Sequence, residues 1–245
     1  MTIKTFELIS TTENGVELIS YVALPESASA ENPVAGILVA PEWWGIVEHP
    51  KNVTERLAKA GFAAVAMDVY GEGKLTADAS MANFWMEQVL EDKDLLTDRC
   101  RLILKDFCDQ MSVDENNIGA IGYCFGGKVV LDMAREGMPL KAVATFHGNP
   151  TPKKPADSSF QAKVLVAHGR DDSMVSMDAI EDLKKELDAA DVDYTIDVYD
   201  NAKHGFTNPD ADKRAAENEV DLGYNEAAAN QSWENMIDFM KANLK

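Results

Sequence analysis

The chain of 245 residues is 46% hydrophobic and 27% charged, with 15 Gly and 9 Pro, which supports a substantial core and excludes disordered, collagenous and low-complexity classes. Its net charge of −19, from 23 Lys and Arg against 42 Asp and Glu, repels phosphate backbones and anionic lipid headgroups, so neither nucleic acid nor a membrane is expected as a partner. An acidic surface of this size equally suits a saline habitat, so it assigns no substrate.

In chain order, Phe6 to Thr12 and Val16 to Leu24 flank Glu13-Asn14-Gly15, and Asn-Gly between strand-like runs predicts a hairpin because both residues tolerate positive φ. Apolar runs of strand length follow at 34–40, 62–69, 117–122, 140–146, 162–168 and 194–199. They are nearly continuous instead of alternating, the pattern of strands buried on both faces. Between them, helical spacing covers Pro50 to Ala60, Asp94 to Gln110, Phe125 to Glu136 and Met177 to Ala190, with Gly61 and Gly137 as stops. Tyr224 to Leu244 reads as a closing helix whose Trp233, Met236, Ile237 and Met240 share one apolar face. Residues 71–93 have no strand and read as a lid-like excursion. Alternation of strand and helix predicts one doubly wound α/β domain over residues 1–245, with a mostly parallel sheet, helices on both faces and the antiparallel hairpin at one edge.

Cys100, Cys108 and Cys124 form no CxxC pair. On one helix, Cys100 and Cys108 would stand about 12 Å apart, beyond disulfide reach. With no secretory-type leader and no apolar run of about 18 residues, a cytoplasmic location is expected.

The chemistry concentrates at Gly122-Tyr123-Cys124-Phe125-Gly126-Gly127, which follows a strand and opens a helix. Glycines two before and two after the cysteine allow a sharp turn that exposes its side chain at the sheet edge. There it faces a helix N-terminus, whose dipole favours a thiolate and later an oxyanion. The bland alternative is a core cysteine in a Gly-rich turn. Further on, His168-Gly169-Arg170-Asp171-Asp172-Ser173-Met174-Val175 brings an acid, and Asp-x-x-Val spacing favours Asp172 over its neighbour Asp171. Asn201-Ala202-Lys203-His204-Gly205-Phe206 then brings an imidazole. Thiol, carboxylate and imidazole are the parts a cysteine nucleophile needs: the imidazole raises the thiolate fraction, and the carboxylate fixes its tautomer. His49, His147 and His168 read as a helix-start residue and two strand-end residues near the site; no HExxH or clustered Cys/His spacing suggests a metal.

The turn resembles the G-x-S-x-G nucleophile elbow of α/β-hydrolases, with Cys in place of Ser. Together with Glu42-Trp43-Trp44-Gly45 after the first parallel strand, Asp68-Val69-Tyr70 after the next, and the Tyr224 to Trp233 region, the chain is similar to the dienelactone hydrolase family over nearly its whole length. The resemblance implies a cysteine hydrolase of small esters or lactones that needs no cofactor. Cys124, His204 and Asp172 would be its triad. It implies that Glu42 sits beside Cys124 and moves when substrate binds, and that the amides of Trp43 and Phe125 form the oxyanion hole. Taken alone, Glu42 could equally be a strand-end carboxylate paired with a lysine.

Family members acting on dienelactone hold its carboxylate with arginines, one of them four residues after the triad histidine and one from the excursion. Here Asn208 occupies the first position, and no arginine occurs between Tyr70 and Asp98, leaving Lys74 as the nearest cation. A broader esterase or lactonase pocket is therefore expected, with Trp44, Phe84, Trp85, Tyr123 and Phe206 as further candidates for its wall. Gly122 to Lys128 also fits G-x-x-x-x-G-K, but Val129 lacks the hydroxyl a phosphate loop needs for magnesium. A non-catalytic binding protein or a redox sensor using Cys124 is the other alternative. Nothing in the sequence sets an oligomeric state.

Overall fold

The computed structural model describes residues 1–92, 94–110 and 112–244. Lys93, the last residue of the expected excursion, and Lys245, the last of the expected domain, lie outside the described residues. Eight strands, β1 (Ile3–Thr11), β2 (Glu17–Pro25), β3 (Val34–Ala40), β4 (Ala63–Ala66), β5 (Val113–Tyr123), β6 (Ala142–Phe146), β7 (Lys163–Gly169) and β8 (Tyr194–Tyr199), form a mixed sheet in the order β1-β2-β4-β3-β5-β6-β7-β8. The helices are α1 (Glu48–Lys59), α2 (Ala79–Glu91), α3 (Leu95–Cys108), α4 (Phe125–Arg135), α5 (Met177–Ala189), α6 (Ala211–Asn218) and α7 (Glu226–Asn243). The chain divides into two compact units, Met1–Ala120 and Ile121–Lys245.

In the first unit, β1 and β2 pair antiparallel from Ile3↔Pro25 to Thr11↔Glu17. Gly15, at φ 84°, closes the turn by donating to the Thr12 carbonyl, which is why Asn-Gly predicted it. Strand β2 runs antiparallel to β4 as well, and β3 and β4 are parallel. Strand β4 stops at Ala66, three residues earlier than the apolar run suggests. The reason is Asp68: its carboxylate accepts from the amides of Ile19, Gly71 and Gly73 and folds the chain into a turn instead of extending the ladder. Helix α2 lies within the excursion, where no helix was expected. It is capped by Asp78, which accepts from the Met81 amide.

In the second unit, β6, β7 and β8 pair parallel, from Ala142↔Lys163 and Val164↔Tyr194 onward. Val164, Leu165 and Val166 are buried, and each such side chain contributes about 1.5–3 kcal/mol through removal from water. Arg135 on α4 is also buried; its Nε and Nη2 reach Glu186 on α5 at 2.8 and 2.9 Å, its Nη1 reaches Asp132 at 2.9 Å, and Nη2 also donates to the Pro150 carbonyl. A buried guanidinium needs this degree of pairing. On α7, Met236 and Met240 are fully buried, while Trp233 and Ile237 are half-buried.

Candidate active site

Strand β5 runs into α4 with one residue between them. That residue, Cys124, has φ 54° and ψ −117°, a strained conformation for a non-glycine side chain. The turn is tight enough that a Cβ on Gly122 would stand 2.0 Å from the Gly126 carbonyl oxygen, so only glycine fits there. The Cys124 amide donates to the Phe146 carbonyl at 3.0 Å, anchoring the turn to the end of β6. The thiol is half-buried, and Phe125 is the first residue of α4, where amides precede the intrahelical hydrogen-bond ladder.

Asp172 follows β7. Its Oδ1 accepts from the amides of Met174 and Val175, both at 2.9 Å, which explains the Asp-x-x-Val spacing. Its Oδ2 is left for His204 Nδ1, also at 2.9 Å, and both side chains are buried. Asp171 is exposed instead, and its amide serves the Ala202 carbonyl. Burial works to lower the basicity of His204. The Cys124 sulfur, by charge and a side-chain hydrogen bond, and the hydrogen bond from Asp172 outweigh it and raise the pKa to about 10. His204 Nε2 makes no well-formed hydrogen bond of its own, so the sulfur acts on the ring from a looser position. His168 is buried beside this pair. Burial lowers its pKa against the opposing pull of Asp172, which keeps the ring neutral.

In the first unit, Glu42 is buried, and its Oε2 stands 3.7 Å from His49 Nδ1 in α1. Trp44 is buried with its ring edge on Trp43, 5.0 Å between centroids. The Trp43 carbonyl accepts from the Tyr70 hydroxyl at 2.9 Å, and the Trp44 carbonyl accepts from the Thr76 amide. Tyr70, Lys74, Trp85 and Arg99 line a cleft of about 300 Å³.

Comparison with known proteins decides the family, because the profile of the dienelactone hydrolase family matches residues 18–244. The chain belongs to the dienelactone hydrolase family. It is 28% identical over 237 residues, 92% of this chain and 84% of the relative, to a Yersinia pestis protein named as a carboxymethylenebutenolidase. It is 26% identical to the protein usf of Aquifex pyrophilus, covering 97% of this chain and 99% of that one. Among solved structures, a dienelactone hydrolase-like promiscuous phosphotriesterase from metagenomic libraries superposes with a TM-score of 0.92 at 30% identity over the full length of both chains. The protein is thus a hydrolase with the α/β-hydrolase type of mixed sheet.

Within this dienelactone hydrolase family chain, the pocket candidates differ in their surroundings. Tyr123 stacks on Phe146 at 4.6 Å, Phe206 sits between His147 and Tyr199, and both rings are buried. Asn208 is buried, and its Oδ1 accepts from the Asp210 amide, so it shapes the turn into α6. Phe84 is 53% exposed on α2 and does not line the cleft. Lys74 pairs with Glu72 at 2.8 Å, and Arg99, the residue after Asp98, lines the same cleft. Arg99 Nη1 donates to the carbonyls of Val69 and Tyr70, and burial lowers its pKa against the field of Asp68. The signal for it was present in the sequence only as a cation on an otherwise apolar face of α3.

The phosphate-loop alternative loses its cation. Lys128 Nζ is held by Asp132 at 2.9 Å, one turn on along α4, and by the Thr151 carbonyl at 2.6 Å. Among the described residues no cluster of three or more His, Cys, Asp or Glu could hold a metal ion, and no helix is long and apolar enough to cross a membrane.

Proposed function

We propose that this hydrolase cleaves small carboxylic esters or lactones through Cys124, His204 and Asp172, by way of an acyl-cysteine. The observation that carries the reading is the buried Asp172–His204 pair at 2.9 Å together with the action of the Cys124 sulfur on the same ring. With the Cys124 proton resting on His204 Nε2, the sulfur attacks the substrate carbonyl carbon, and the carbonyl electrons move onto oxygen. The oxyanion collapses as the alkoxide leaves with the proton held by His204, which gives a thioester and an alcohol. Water then repeats the sequence, yielding the acid and the free thiol. Asp172 holds Nδ1–H throughout and stabilises the imidazolium.

The resemblance to the family supplies the remaining roles. The amides of Trp43 and Phe125 are the oxyanion donors, each worth about 3 kcal/mol in the transition state. Glu42 guards the resting thiol and shifts when substrate binds. Residues 1–245 act as one catalytic domain, and residues 71–93 serve as its lid. An Asn at position 208 offers no bidentate carboxylate fork, so neutral esters and lactones are favoured over dienelactone itself. The cysteine pattern suits a reducing, cytoplasmic setting.

The test is turnover of p-nitrophenyl acetate, p-nitrophenyl butyrate, a δ-lactone and an aryl phosphotriester, the last because one relative is named a promiscuous phosphotriesterase. Wild type, Cys124→Ala and His204→Ala are assayed in parallel. Hydrolysis lost in both variants supports the reading; equal rates in all three would leave only a binding or redox-sensing role for Cys124.

A further inference from the structure

His147 takes no part in the chemistry just described, yet its backbone is unusual. Among the described residues, six other than glycine have positive φ. Glu72, Asp191, Asn201 and Glu219 occupy turns or helix ends with at least partly exposed side chains, where that conformation is commonplace. The other two are Cys124 and His147, the latter buried and at φ 41°. A strained conformation persists only where its surroundings over-determine it, and such residues cluster at functional sites.

The strain at His147 serves two contacts. On the backbone side it lets Gly148 settle against the elbow: a Cβ on Gly148 would stand 2.7 Å from the Gly127 Cα, while the His147 amide donates to the Ala167 carbonyl at 2.9 Å. On the side-chain side it turns the imidazole across the loop that carries His204. The two rings meet edge to face, with centroids 5.0 Å apart and planes at 64°, and the His147 ring also meets Phe206 at 5.4 Å. His147 Nε2 and Thr207 Oγ1 share a hydrogen bond of 2.9 Å, which ties this ring to the same loop three residues beyond His204.

From this we infer that His147, locked by Thr207, is a positioning residue that sets the ring plane of His204. The bond that Nδ1–H donates to Asp172 fixes one ring nitrogen but leaves the ring able to swing about that bond. An edge-to-face neighbour blocks the swing, and its own hydrogen bond keeps that neighbour in place. The inference rests on the reading of His204 as the base for Cys124, and it adds the element that aims Nε2 at the sulfur, where small misplacements are costly to rate.

The experiment uses the full chain with Thr207→Val, Thr207→Ser, His147→Phe and the Thr207→Val/His147→Phe double variant. Two readouts are taken: kcat and KM on a p-nitrophenyl ester, and the rate of Cys124 alkylation by iodoacetamide as a function of pH. Thr207→Val is nearly isosteric, and His147→Phe keeps a ring, so neither depends on surviving a cavity. We expect each single variant to lower kcat about tenfold with KM within about twofold. The double variant should fall no further than either single one, since both remove one bond. Thr207→Ser should stay within about twofold of the wild type. The alkylation profile should move to higher pH in the Val and Phe variants and not in the Ser variant. A wild-type kcat and profile for Thr207→Val, or losses that multiply in the double variant, would overturn the inference while His204→Ala remains inactive. If His204→Ala hydrolyses and alkylates like the wild type, the parent reading falls and takes this one with it.

Discussion

Each compact unit contains one buried carboxylate beside an imidazole, and the two pairs differ in how the carboxylate is held. Asp172 has a short side chain, and two backbone amides claim one of its oxygens, so the other has a single place to go and meets His204 at 2.9 Å. Glu42 carries one more methylene and stands 3.7 Å from His49, outside hydrogen-bond range. Both pairs combine a carboxylic acid and an imidazole away from water. What separates the two pairs is whether the acid comes within hydrogen-bond range of its imidazole.

Breaking the fixed pair should have the largest effect. Asp172→Asn keeps the shape but presents an amide to Nδ1 and favours the wrong tautomer; kcat on a p-nitrophenyl ester should fall by about 10,000-fold, measured against the same folded fraction by circular dichroism. A loss below about tenfold would mean that the 2.9 Å bond does not orient the base. Glu42→Gln should cost about tenfold in kcat and speed the alkylation of Cys124 in the resting enzyme, because the guarding charge is gone. Selectivity of that label is built in: Cys100 is buried, and burial together with Glu115 and Asp109 pushes Cys108 up to about 11. Slower alkylation in Glu42→Gln would count against the guarding role.

The pH dependence sharpens the comparison further. His204 has a folded pKa near 10, above its ordinary value of 6.5, so its protonation stabilises the fold fully below about pH 6.5, and that contribution disappears as pH rises through about 10. The Tm of the wild type should therefore decline over this window. The decline should shrink in Cys124→Ala, which removes the largest raising influence; an identical Tm profile in both proteins would show that the sulfur does not act on the ring. His168 has the opposite sign, with a lowered folded pKa, so its contribution is present above about pH 6.5 and lost as pH falls through the folded value. The smallest effect belongs to the longer pair: His49→Gln should change kcat by no more than about twofold, since its ring stands 3.7 Å from Glu42.

Much of the site was legible before any coordinates because its constraints are local. The elbow needs glycines at fixed offsets, and Gly122 against Gly126 is a contact four residues apart in the chain. Asp172 is recognisable because the amides that anchor it lie two and three residues on. The hairpin at Asn14-Gly15 and the bounds of β3 and β8 follow from turn chemistry and apolar runs in the same way. Helices α2 and α6 were missed because α2 is apolar on both sides and α6 is short and mostly polar, so neither shows the one-sided spacing that marks a helix. The burial of Tyr123 and Asn208 and the place of Arg99 in the cleft with Lys74 are not legible in the sequence for a common reason: what a side chain faces depends on segments far away in the chain.

By itself, the amino-acid sequence determined the strand and helix alternation and the family, and it put forward Cys124, Asp172 and His204 as thiol, acid and imidazole, since each of these signals is encoded by residues within a few positions of one another. Only the tertiary structure decided that the Asp172 carboxylate meets His204 Nδ1 at 2.9 Å, that Glu42 stands 3.7 Å from His49, and that His147 meets Thr207 beside the His204 loop. Those contacts span from 7 to 60 positions along the chain, and distance between such residues is set by how strands and loops stack, which local preference does not encode.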